Sequence, residues 1–379
     1  MSEFFFQIGR NPQLSIFEIS KIFPGAKISN KIFPGDLVTV NFSEKISFHF
    51  DFLKFFGGTI RIAEKISDTP EFKKIPTILA EELSKNYQQQ KINFAISVLG
   101  KNFSENFLRR ILIETKKKLR SKKIPVRFAN RNFQNFSTTQ FWREKNLQEF
   151  LLTENFLLKT ISSQNPKQLA EKEFGKPQRS MKIGMSSSKL SKLLINFSRD
   201  KNGKLPISFW DPFCGTGSIP IEAAEMGIEK IIASDISEQS LQITKENFSF
   251  FQPNKKSNLQ IFPHDITKKL TKKIEAETII TESFLGPLFS ASPSGQRLFS
   301  AQKLCQKILQ NFFQNISENF TGKKIIIAIP FWLTKSKHQF LEEIFPLVEK
   351  NWKNLGGKNL LFFRSNQFVG RQILVLEKK

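Results

Sequence analysis

Residues 211–227, DPFCGTGSIPIEAAEMG, place an acid and two closely spaced glycines before a predicted helix. Glycine has no Cβ, so the backbone of such a turn can approach a ligand closely. The GxxxxGK[ST] pattern of a nucleoside triphosphate site is absent, and Pro220 interrupts the GxGxxG pattern of a dinucleotide site. The carboxylate of Asp211 instead suits a ligand that carries an ammonium group.

Two further acids end the predicted strands that come next. Asp235 closes KIIASD, 18 residues after Gly217, where a carboxylate can accept hydrogen bonds from both hydroxyls of a ribose. Asp265 closes LQIFPHD, where it can accept a hydrogen bond from an adenine amine. Taken singly, each aspartate is also explained as a turn residue or a helix cap. Taken together after a GxG turn, Asp211, Asp235 and Asp265 predict a pocket for S-adenosylmethionine.

Strands and helices that alternate along the second half of the chain must position these acids. Apolar strands separated by helices indicate a parallel sheet covered on both faces. The closing pair NLLFFRS and RQILVLEK, joined by NQFVG, predicts an antiparallel hairpin at the edge of that sheet. The predicted strands are PISFWD, KIIASD, LQIFPHD, TIITES and KKIIIAIPFW, and the predicted helices cover 188–198, 218–226, 238–250, 299–318 and 337–353.

The first half of the chain predicts a separate α+β region. Short strand-like segments such as FFFQIGR and NFAISVLG accompany one amphipathic helix, ENFLRRILIETKKKLRSKK. Pro, Gly, Ser and Lys cluster after it, with weak periodicity. We therefore expect an N-terminal region at 1–165, a linker at 166–185 and a C-terminal domain at 186–379.

The charge of the chain predicts a polyanionic partner. The formal net charge is +24, and a surface this basic attracts nucleic acid. Lysine enrichment has a second explanation, because 42 Phe against one Tyr is typical of drift toward AT-rich codons. The segment 116–127 carries seven basic residues in twelve, which fits either a solvated helix face or an RNA-binding surface. The candidate RNA-binding residues are Lys116, Lys117, Lys118, Lys122, Lys123 and Arg127.

The sequence gives little support for a metal site, a disulfide framework or a cysteine nucleophile. Cys214, Cys305 and three scattered histidines form neither a disulfide framework nor a zinc-ligand cluster, so we expect no metal. Cys214 is interpreted as a small buried filler, because no histidine lies near it in the sequence. No apolar run approaches the roughly 18 residues of a membrane span, and the N-terminus lacks the order of a signal peptide. We therefore expect a cytoplasmic protein with no membrane partner.

The motif at 211–227 resembles the first motif of Rossmann-fold methyltransferases. More narrowly, it resembles that of the THUMP-containing tRNA guanine N2-methyltransferases. The segments IGRNPQLSIFEI, GGTIRIAEKI, FGKPQRSMKIGMSSSKLSKLLINFS and FRSNQFVGRQILVLEKK are also similar to their counterparts in that family. The resemblance therefore covers nearly the whole chain. It implies a doubly wound, mostly parallel C-terminal Rossmann fold, preceded by a ferredoxin-like element and a THUMP domain that grips tRNA.

The resemblance also implies an activity and a set of site residues. Family members transfer methyl groups from S-adenosylmethionine to the exocyclic N2 amine of a guanosine in tRNA. Transfer RNA is thus the implied partner, and a small activator protein is a second candidate partner. The implied cofactor-binding residues are Met185, Asp211, Phe213, Gly215, Gly217, Asp235, Ile236, Asp265 and Ile266.

The chain departs from the family at the motif expected to hold the target amine. Amino-methylating enzymes usually carry [DN]PP[YF] after the fourth strand, whereas this chain has Thr281, Glu282, Ser283 and Phe284. Phe284 keeps the ring that stacks on an extruded base. Either Glu282 replaces the missing acceptor or the backbone holds the amine. We expect a methyltransferase with these four residues as its catalytic stretch; the alternatives are a tRNA-binding module without activity and an amino-methylating DNA methyltransferase.

Overall fold

The computed structural model describes residues 2–68, 71–85, 87–100, 103–144, 146–178, 186–251, 256–270, 273–334, 337–364 and 367–379. The chain forms two compact units, each with its own sheet. The N-terminal unit contains Met1–Arg10, Gly25–Lys54 and Thr59–Gln168, and the C-terminal unit contains Asn11–Pro24, Phe55–Gly58 and Leu169–Lys379. Among the described residues, no helix combines the length and the apolar composition that crossing a membrane requires.

The N-terminal unit is an α+β structure around an eight-stranded sheet. Its strands are β1 (Ser2–Ile8), β2 (Lys27–Ile28), β3 (Leu37–Phe42), β4 (Thr59–Asp68), β5 (Ile92–Val98), β6 (Val126–Phe128), β7 (Leu147–Leu152) and β8 (Phe156–Ser163). They follow the order β2-β3-β1-β4-β8-β7-β5-β6. The β5–β7 and β5–β6 pairs are parallel, and the other pairs along this order are antiparallel. Its helices are α2 (Ile75–Ser84), α3 (Glu105–Ser121) and α4 (Thr138–Phe141), with a 3-10 turn at Arg131–Phe133.

Helix α3 confirms the amphipathic helix predicted from the sequence. The hydroxyl of Ser104 accepts a hydrogen bond from the Phe107 N–H and so caps its first turn. Leu108, Ile111, Leu112 and Leu119 share its buried side, and their spacings include the three, four and seven positions expected of the apolar side of a helix. Its basic residues are thereby left on the solvent side.

The C-terminal unit confirms the predicted doubly wound α/β fold. Its helices are α1 (Pro12–Ile22), α5 (Pro166–Phe174, which begins in the other unit), α6 (Ser188–Phe197), α7 (Ser218–Glu225), α8 (Glu238–Phe251), α9 (Gly295–Asn319) and α10 (Phe345–Asn351). Its strands are β9 (Ser208–Asp211), β10 (Lys230–Asp235), β11 (Asn258–Pro263), β12 (Thr278–Glu282), β13 (Lys324–Leu333), β14 (His338–Gln339), β15 (Trp352–Asn354), β16 (Leu361–Phe362) and β17 (Val369–Lys378). The order is β11-β10-β9-β12-β13-β17-β15, and the first five strands are parallel.

Helices cover both faces of this sheet. On one face, α6 and α7 bury Leu193 and Ile219 against Phe209 of β9. On the other face, α9 buries Phe312 against apolar side chains that include Ile327 of β13. Parallel strands have their carboxyl ends at one edge of the sheet, so residues that end β9, β10 and β12 lie along one rim.

The predicted antiparallel hairpin at the edge of the sheet is confirmed, because β16 pairs with β17 and β17 joins the hairpin to β13 on its other side. Two local features differ from the sequence prediction. The helix predicted at 337–353 is confined to α10, and β14 and a 3-10 turn at Glu342–Ile344 precede it. Helix α5 occupies the start of the segment predicted as a linker, and its buried residues Leu169 and Lys172 explain why it is ordered despite weak periodicity.

A buried carboxylate joins early segments of the chain to the C-terminal unit. Glu18 of α1 is fully buried and accepts hydrogen bonds from the Gly57 and Gly58 N–H groups and from the Asn196 side chain, at 2.8, 2.9 and 2.8 Å. Burial raises the pKa of Glu18 above its ordinary value. A Cβ at Gly57 would lie 2.2 Å from the Lys189 carbonyl oxygen, so only glycine fits there. Residues 11–24 and 55–58 therefore pack in the C-terminal unit. The contacts that place them there join distant positions, so the linear sequence does not reveal them.

Candidate functional site

Three strand-end aspartates lie along the rim formed by β9, β10 and β11. Asp211 is the last residue of β9, Asp235 is the last residue of β10, and Asp265 follows β11 by two residues. The register pairs Ala233 with Asp211 and Asp235 with Pro263, so the three strands end at similar heights. The structure therefore brings together the acids that the sequence analysis singled out.

The glycine loop folds onto this rim. Gly215 and Gly217 have φ values of +53° and +78°, which disfavour other residues. A Cβ at Gly217 would also lie 3.0 Å from the Thr244 side chain. The Gly215 N–H donates a hydrogen bond of 3.0 Å to Oδ2 of Asp235, so the loop and the second acid form one structure.

Asp235 is placed for contact with a bound ligand. Its Oδ1 accepts the Ser237 N–H at 3.0 Å, which leaves each carboxylate oxygen with one backbone donor and further accepting capacity. Burial raises the pKa of Asp235. The next side chain, Ile236, is 71% exposed, which is unusual for isoleucine and provides an apolar surface beside the carboxylate.

Asp265 accepts its hydrogen bonds from a residue only two positions further along the chain. The hydroxyl of Thr267 donates a hydrogen bond of 2.6 Å to its Oδ1, and the Thr267 N–H donates another of 3.0 Å. These bonds lower the pKa of Asp265. Ile266 is buried in the core on the α9 side, and its carbonyl accepts a hydrogen bond from Asn315. This geometry fits both interpretations of Asp265, as a cap at the end of the strand and as an acceptor for an adenine amine.

Asp211 is the most buried of the three acids. It is 1% exposed, and its Oδ1 accepts hydrogen bonds from the Thr281 hydroxyl at 2.6 Å and the Phe213 N–H at 3.2 Å. Burial raises the pKa of Asp211 to about 7, and repulsion from Asp235 and Glu282 adds to the effect. Asp235 and Glu282 are therefore each close enough to repel Asp211, and a cation at the rim would relieve that repulsion.

Thr281 is thus a donor to Asp211, a role that the sequence analysis missed. From the sequence, Thr281 is interpreted only as the loss of an acidic acceptor. The two residues are 70 positions apart in the chain, and β12 lies directly beside β9 in the sheet. Adjacent parallel strands were predicted, but their order was not, so this contact had no signal in the sequence.

Glu282 forms an ion pair with Arg371, which the sequence analysis also missed. Arg371 Nε lies 2.7 Å from Glu282 Oε1, and both side chains are mostly buried, at 14% and 12% exposure. Arg371 lies on β17 and also donates to the Val369 carbonyl. In the sequence, the signal for this ion pair is Arg371, a charged residue at the start of an otherwise apolar strand. The pair leaves Oε2 of Glu282 without a hydrogen-bond donor among the described residues.

The last two residues of the TESF stretch differ in exposure. Ser283 is 3% exposed, and its N–H and hydroxyl both donate to the Ala328 carbonyl, at 2.9 and 3.1 Å. Phe284 is 40% exposed. The serine therefore fixes the backbone to β13, while the phenylalanine ring remains accessible for stacking.

Phe213 and Cys214 of the glycine loop are packed against neighbouring residues. Phe213 is partly buried and packs against Phe312, with ring centroids 6.0 Å apart. Cys214 is buried, and burial raises the pKa of its thiol, which fits a filler better than a nucleophile. Met185 lies outside the described residues.

The predicted RNA-binding residues lie on the N-terminal unit, in α3 and β6 and between them. Lys117 pairs with Glu114 at 2.8 Å, and Arg127 pairs with Glu144 at 2.6 Å. Lys116 lies over the ring of Phe128, 5.2 Å from its centroid. The remaining three, Lys118, Lys122 and Lys123, are exposed and form no salt bridge with another described residue. The positive charges of these three lysines are therefore not neutralised by an ion pair with a described residue.

A large cavity lies at a different place from the strand-end acids. It has a volume of about 680 Å³ and lies beside the edge strand β11, with Ile232, Phe262 and His264 among its lining residues. None of the three strand-end aspartates lines it. The rim is therefore identified as the candidate ligand site from the chemistry and geometry of its residues, and not from the presence of a cavity. The cavity beside β11 is a competing location for a ligand.

The site and the sheet order define a methyltransferase-type Rossmann fold. TrmN from Thermus thermophilus aligns with 100% of this chain and 100% of its own, with a TM-score of 0.51 at 12% identity. The structure of SMU.472 complexed with SAH aligns with 98% of this chain and 97% of its own, with a TM-score of 0.50 at 11% identity. At these identities the likeness shows the fold alone.

Sequence comparison narrows the class for part of the chain. Residues 179–343 match the family described as UPF0020, the RMKL-like methyltransferase domain, so this segment is similar to domains of that family. A tRNA (guanine(10)-N2)-dimethyltransferase of Methanothermobacter thermautotrophicus is 30% identical over 167 residues. That alignment covers 44% of this chain and 44% of the relative, so the chain matches less than half the length of this curated relative.

The raised pKa of Asp211 predicts a specific pH dependence of stability. The folded-state pKa of about 7 exceeds the ordinary value of 3.8, so the folded state binds more protons than the unfolded state between these values. The stability contributed by this proton is present at low pH and is lost as pH rises through about 7. In urea unfolding, we expect the wild type to lose at least about 1 kcal/mol relative to Asp211→Asn between pH 5 and pH 8.

Asp265→Asn serves as the control, because the Thr267 hydrogen bonds lower the pKa of Asp265. Its difference from the wild type should change little above pH 5. A difference between the wild type and Asp211→Asn that is equal at both pH values would contradict the assigned proton.

Proposed function

We propose that this protein is an S-adenosylmethionine-dependent tRNA methyltransferase that acts on the exocyclic N2 amine of a guanosine. The observation that carries this proposal is the rim of strand-end carboxylates around the glycine loop, within a segment that matches a methyltransferase family. The name of the relative supplies the substrate class, a guanosine N2 amine of tRNA. The basic surface of the N-terminal unit is consistent with that substrate.

The residues present fit the cofactor. The repulsion of Asp211 by Asp235 and by Glu282 favours a cationic ligand, and S-adenosylmethionine carries both an ammonium and a sulfonium. In this assignment Asp211 and the glycine loop hold the amino-acid part, Asp235 holds the ribose, and Ile236 and Asp265 contact the adenine. SMU.472, which has the same fold, is complexed with SAH.

The catalytic stretch orients the target amine. Bound S-adenosylmethionine would supply an electrophilic methyl group for the guanosine N2 nitrogen and would leave as S-adenosylhomocysteine. The nitrogen then loses a proton. Oε2 of Glu282 can accept it, because Arg371 occupies only Oε1 of this carboxylate. Phe284 stacks on the base, and proximity supplies most of the rate because the amine needs no strong base.

The domain organisation follows from the same proposal. Within residues 1–165, the compact N-terminal unit forms a ferredoxin-like and THUMP-type region that binds tRNA, whereas residues 11–24 and 55–58 pack in the C-terminal unit. Residues 166–185 connect the two parts, and 186–379 form the methyltransferase domain. The compact C-terminal unit, which starts its last segment at Leu169, supports a boundary in this part of the chain. We place the protein in the cytoplasm because its proposed substrate is tRNA.

The activity is tested with purified protein, cofactor with a labelled methyl group and unmodified tRNA transcripts, followed by digestion to nucleosides. We expect label in N2-methylguanosine or its dimethylated form. Phe284→Ala should reduce turnover at least about tenfold, because base stacking is worth about 1–3 kcal/mol. Its affinity for the cofactor should stay within twofold of the wild type.

Phe299→Ala is the matched control, since Phe299 is an exposed phenylalanine of α9 outside the catalytic stretch. It should leave turnover unchanged. Confirmed binding of tRNA and cofactor with no label in any guanosine would contradict the activity and indicate a binding module. Label in adenosine would contradict the assigned amine.

The exposed lysines predict a salt-dependent contact with tRNA. Each phosphate contact releases counterions, so affinity falls with salt concentration. The triple change Lys118→Gln, Lys122→Gln and Lys123→Gln should weaken tRNA binding and reduce the slope of log affinity against log salt by roughly two to three units. Filter binding over a range of salt concentrations measures this slope.

The control replaces three other exposed lysines of the same unit, Lys27, Lys45 and Lys91. It matches the loss of net charge but lies outside the 116–127 segment. Equal slopes for the two triple variants would mean that only net charge matters, and an unchanged slope in the first would remove this segment from the interface.

A further inference from the structure

Lys176 is a buried lysine beside the glycine loop. Its side chain belongs to a residue that is only 6% exposed, in the described stretch after α5. The ammonium donates to the hydroxyl of Thr216 at 3.4 Å and to the hydroxyl of Ser218. Both hydroxyls flank Gly217, so Lys176 contacts the loop that shapes the strand-end rim.

The charge of Lys176 has no close counter-charge. Among the described residues, no carboxylate lies within salt-bridge distance of its ammonium, although Glu222 and Glu173 act on it at longer range. Glu222 already binds Lys172 at 3.1 Å and accepts a hydrogen bond from Ser188. Burial lowers the pKa of Lys176 to about 8, so the group remains mostly charged at neutral pH. A buried ammonium whose close partners are only hydroxyls is costly.

The position of Lys176 makes that cost larger. Ser218 is the first residue of α7, and the N-terminus of a helix carries partial positive charge. A cation is unfavourable there, whereas an anion would be stabilised by both the ammonium and the helix. The two unfavourable features disappear together if an anion binds next to Lys176.

A cavity of about 160 Å³ adjoins the ammonium. Its charged lining residues are the cations Lys176, Arg364 and Arg371 and the carboxylate Glu173, and the hydroxyls of Ser186 and Ser187 also line it. Glu282 neutralises Arg371. The cavity therefore keeps a net positive charge and is of a size that suits the end of a small molecule.

We propose that Lys176, with the Thr216 and Ser218 hydroxyls, binds the carboxylate of the amino-acid part of the cofactor. This inference rests on the proposed function. An amino acid carries its ammonium and carboxylate on one carbon, so Asp211 at the start of the glycine loop and a lysine that contacts the same loop match it. An RNA phosphate is the less favoured anion, because Lys176 is buried whereas Arg364 is the exposed cation of this cavity.

The test compares two ligands by isothermal titration calorimetry. S-adenosylhomocysteine has the carboxylate, and its decarboxylated analogue keeps the amine but lacks it. We expect the wild type to prefer S-adenosylhomocysteine at least about tenfold, as charged hydrogen bonds are worth roughly 1.5–3 kcal/mol. Lys176→Met should abolish this preference and leave the affinity for the analogue within twofold. Lys176→Arg should restore part of it.

Lys192→Met is the control, since Lys192 is equally buried but lies 3.8 Å from the Glu222 carboxylate. It should retain the preference. The inference is overturned if Lys176→Met keeps the preference, or if it loses tRNA affinity with unchanged cofactor affinity, which would indicate a phosphate site. If Lys176→Met does not fold, the wild type still decides, because equal affinities for the two ligands overturn the carboxylate site. Failure of the wild type to bind either ligand would contradict the proposed function instead.

Discussion

The parallel order of β11, β10, β9 and β12 is the constraint on which the site depends. It places Asp211, Asp235 and Glu282 at one rim, where burial and mutual repulsion raise the pKa of Asp211 to about 7. Such a rim is stable only with positive or donor groups around it. The Thr281 hydroxyl, the Gly215 N–H and the Arg371 guanidinium supply them from three different elements. A cationic ligand would complete the set, which links the electrostatics of the fold to the proposed chemistry.

The altered catalytic stretch is explained by the same balance of charge. An acid at position 281 would place a fourth carboxylate against Asp211, whereas threonine donates a hydrogen bond to it. The carboxylate lies one residue further on, at Glu282, where Arg371 neutralises it. Ser283 fixes the strand end, and Phe284 presents its ring. The four residues thus have distinct positions, and the stretch retains an acceptor and an aromatic surface although its letters differ from the usual pattern.

The sequence predicts the local parts of this structure well and the long-range parts poorly. The glycine turn, the strand-end acids and α3, α6, α7 and α8 follow from spacing over a few residues. The Glu282–Arg371 and Lys176–Ser218 contacts join positions 89 and 42 residues apart, so no local pattern reveals them. Similarly, α1 packs with α6 through Glu18 and Asn196, which are 178 residues apart.

The most direct measurement is a crystal structure of the protein with S-adenosylhomocysteine. The account predicts the ribose hydroxyls within hydrogen-bond distance of the Asp235 carboxylate and the amino-acid part against the loop that contains Gly215 and Gly217. Electron density for the ligand in the cavity of about 680 Å³ beside β11, with Asp211 and Asp235 free of contact, would contradict it.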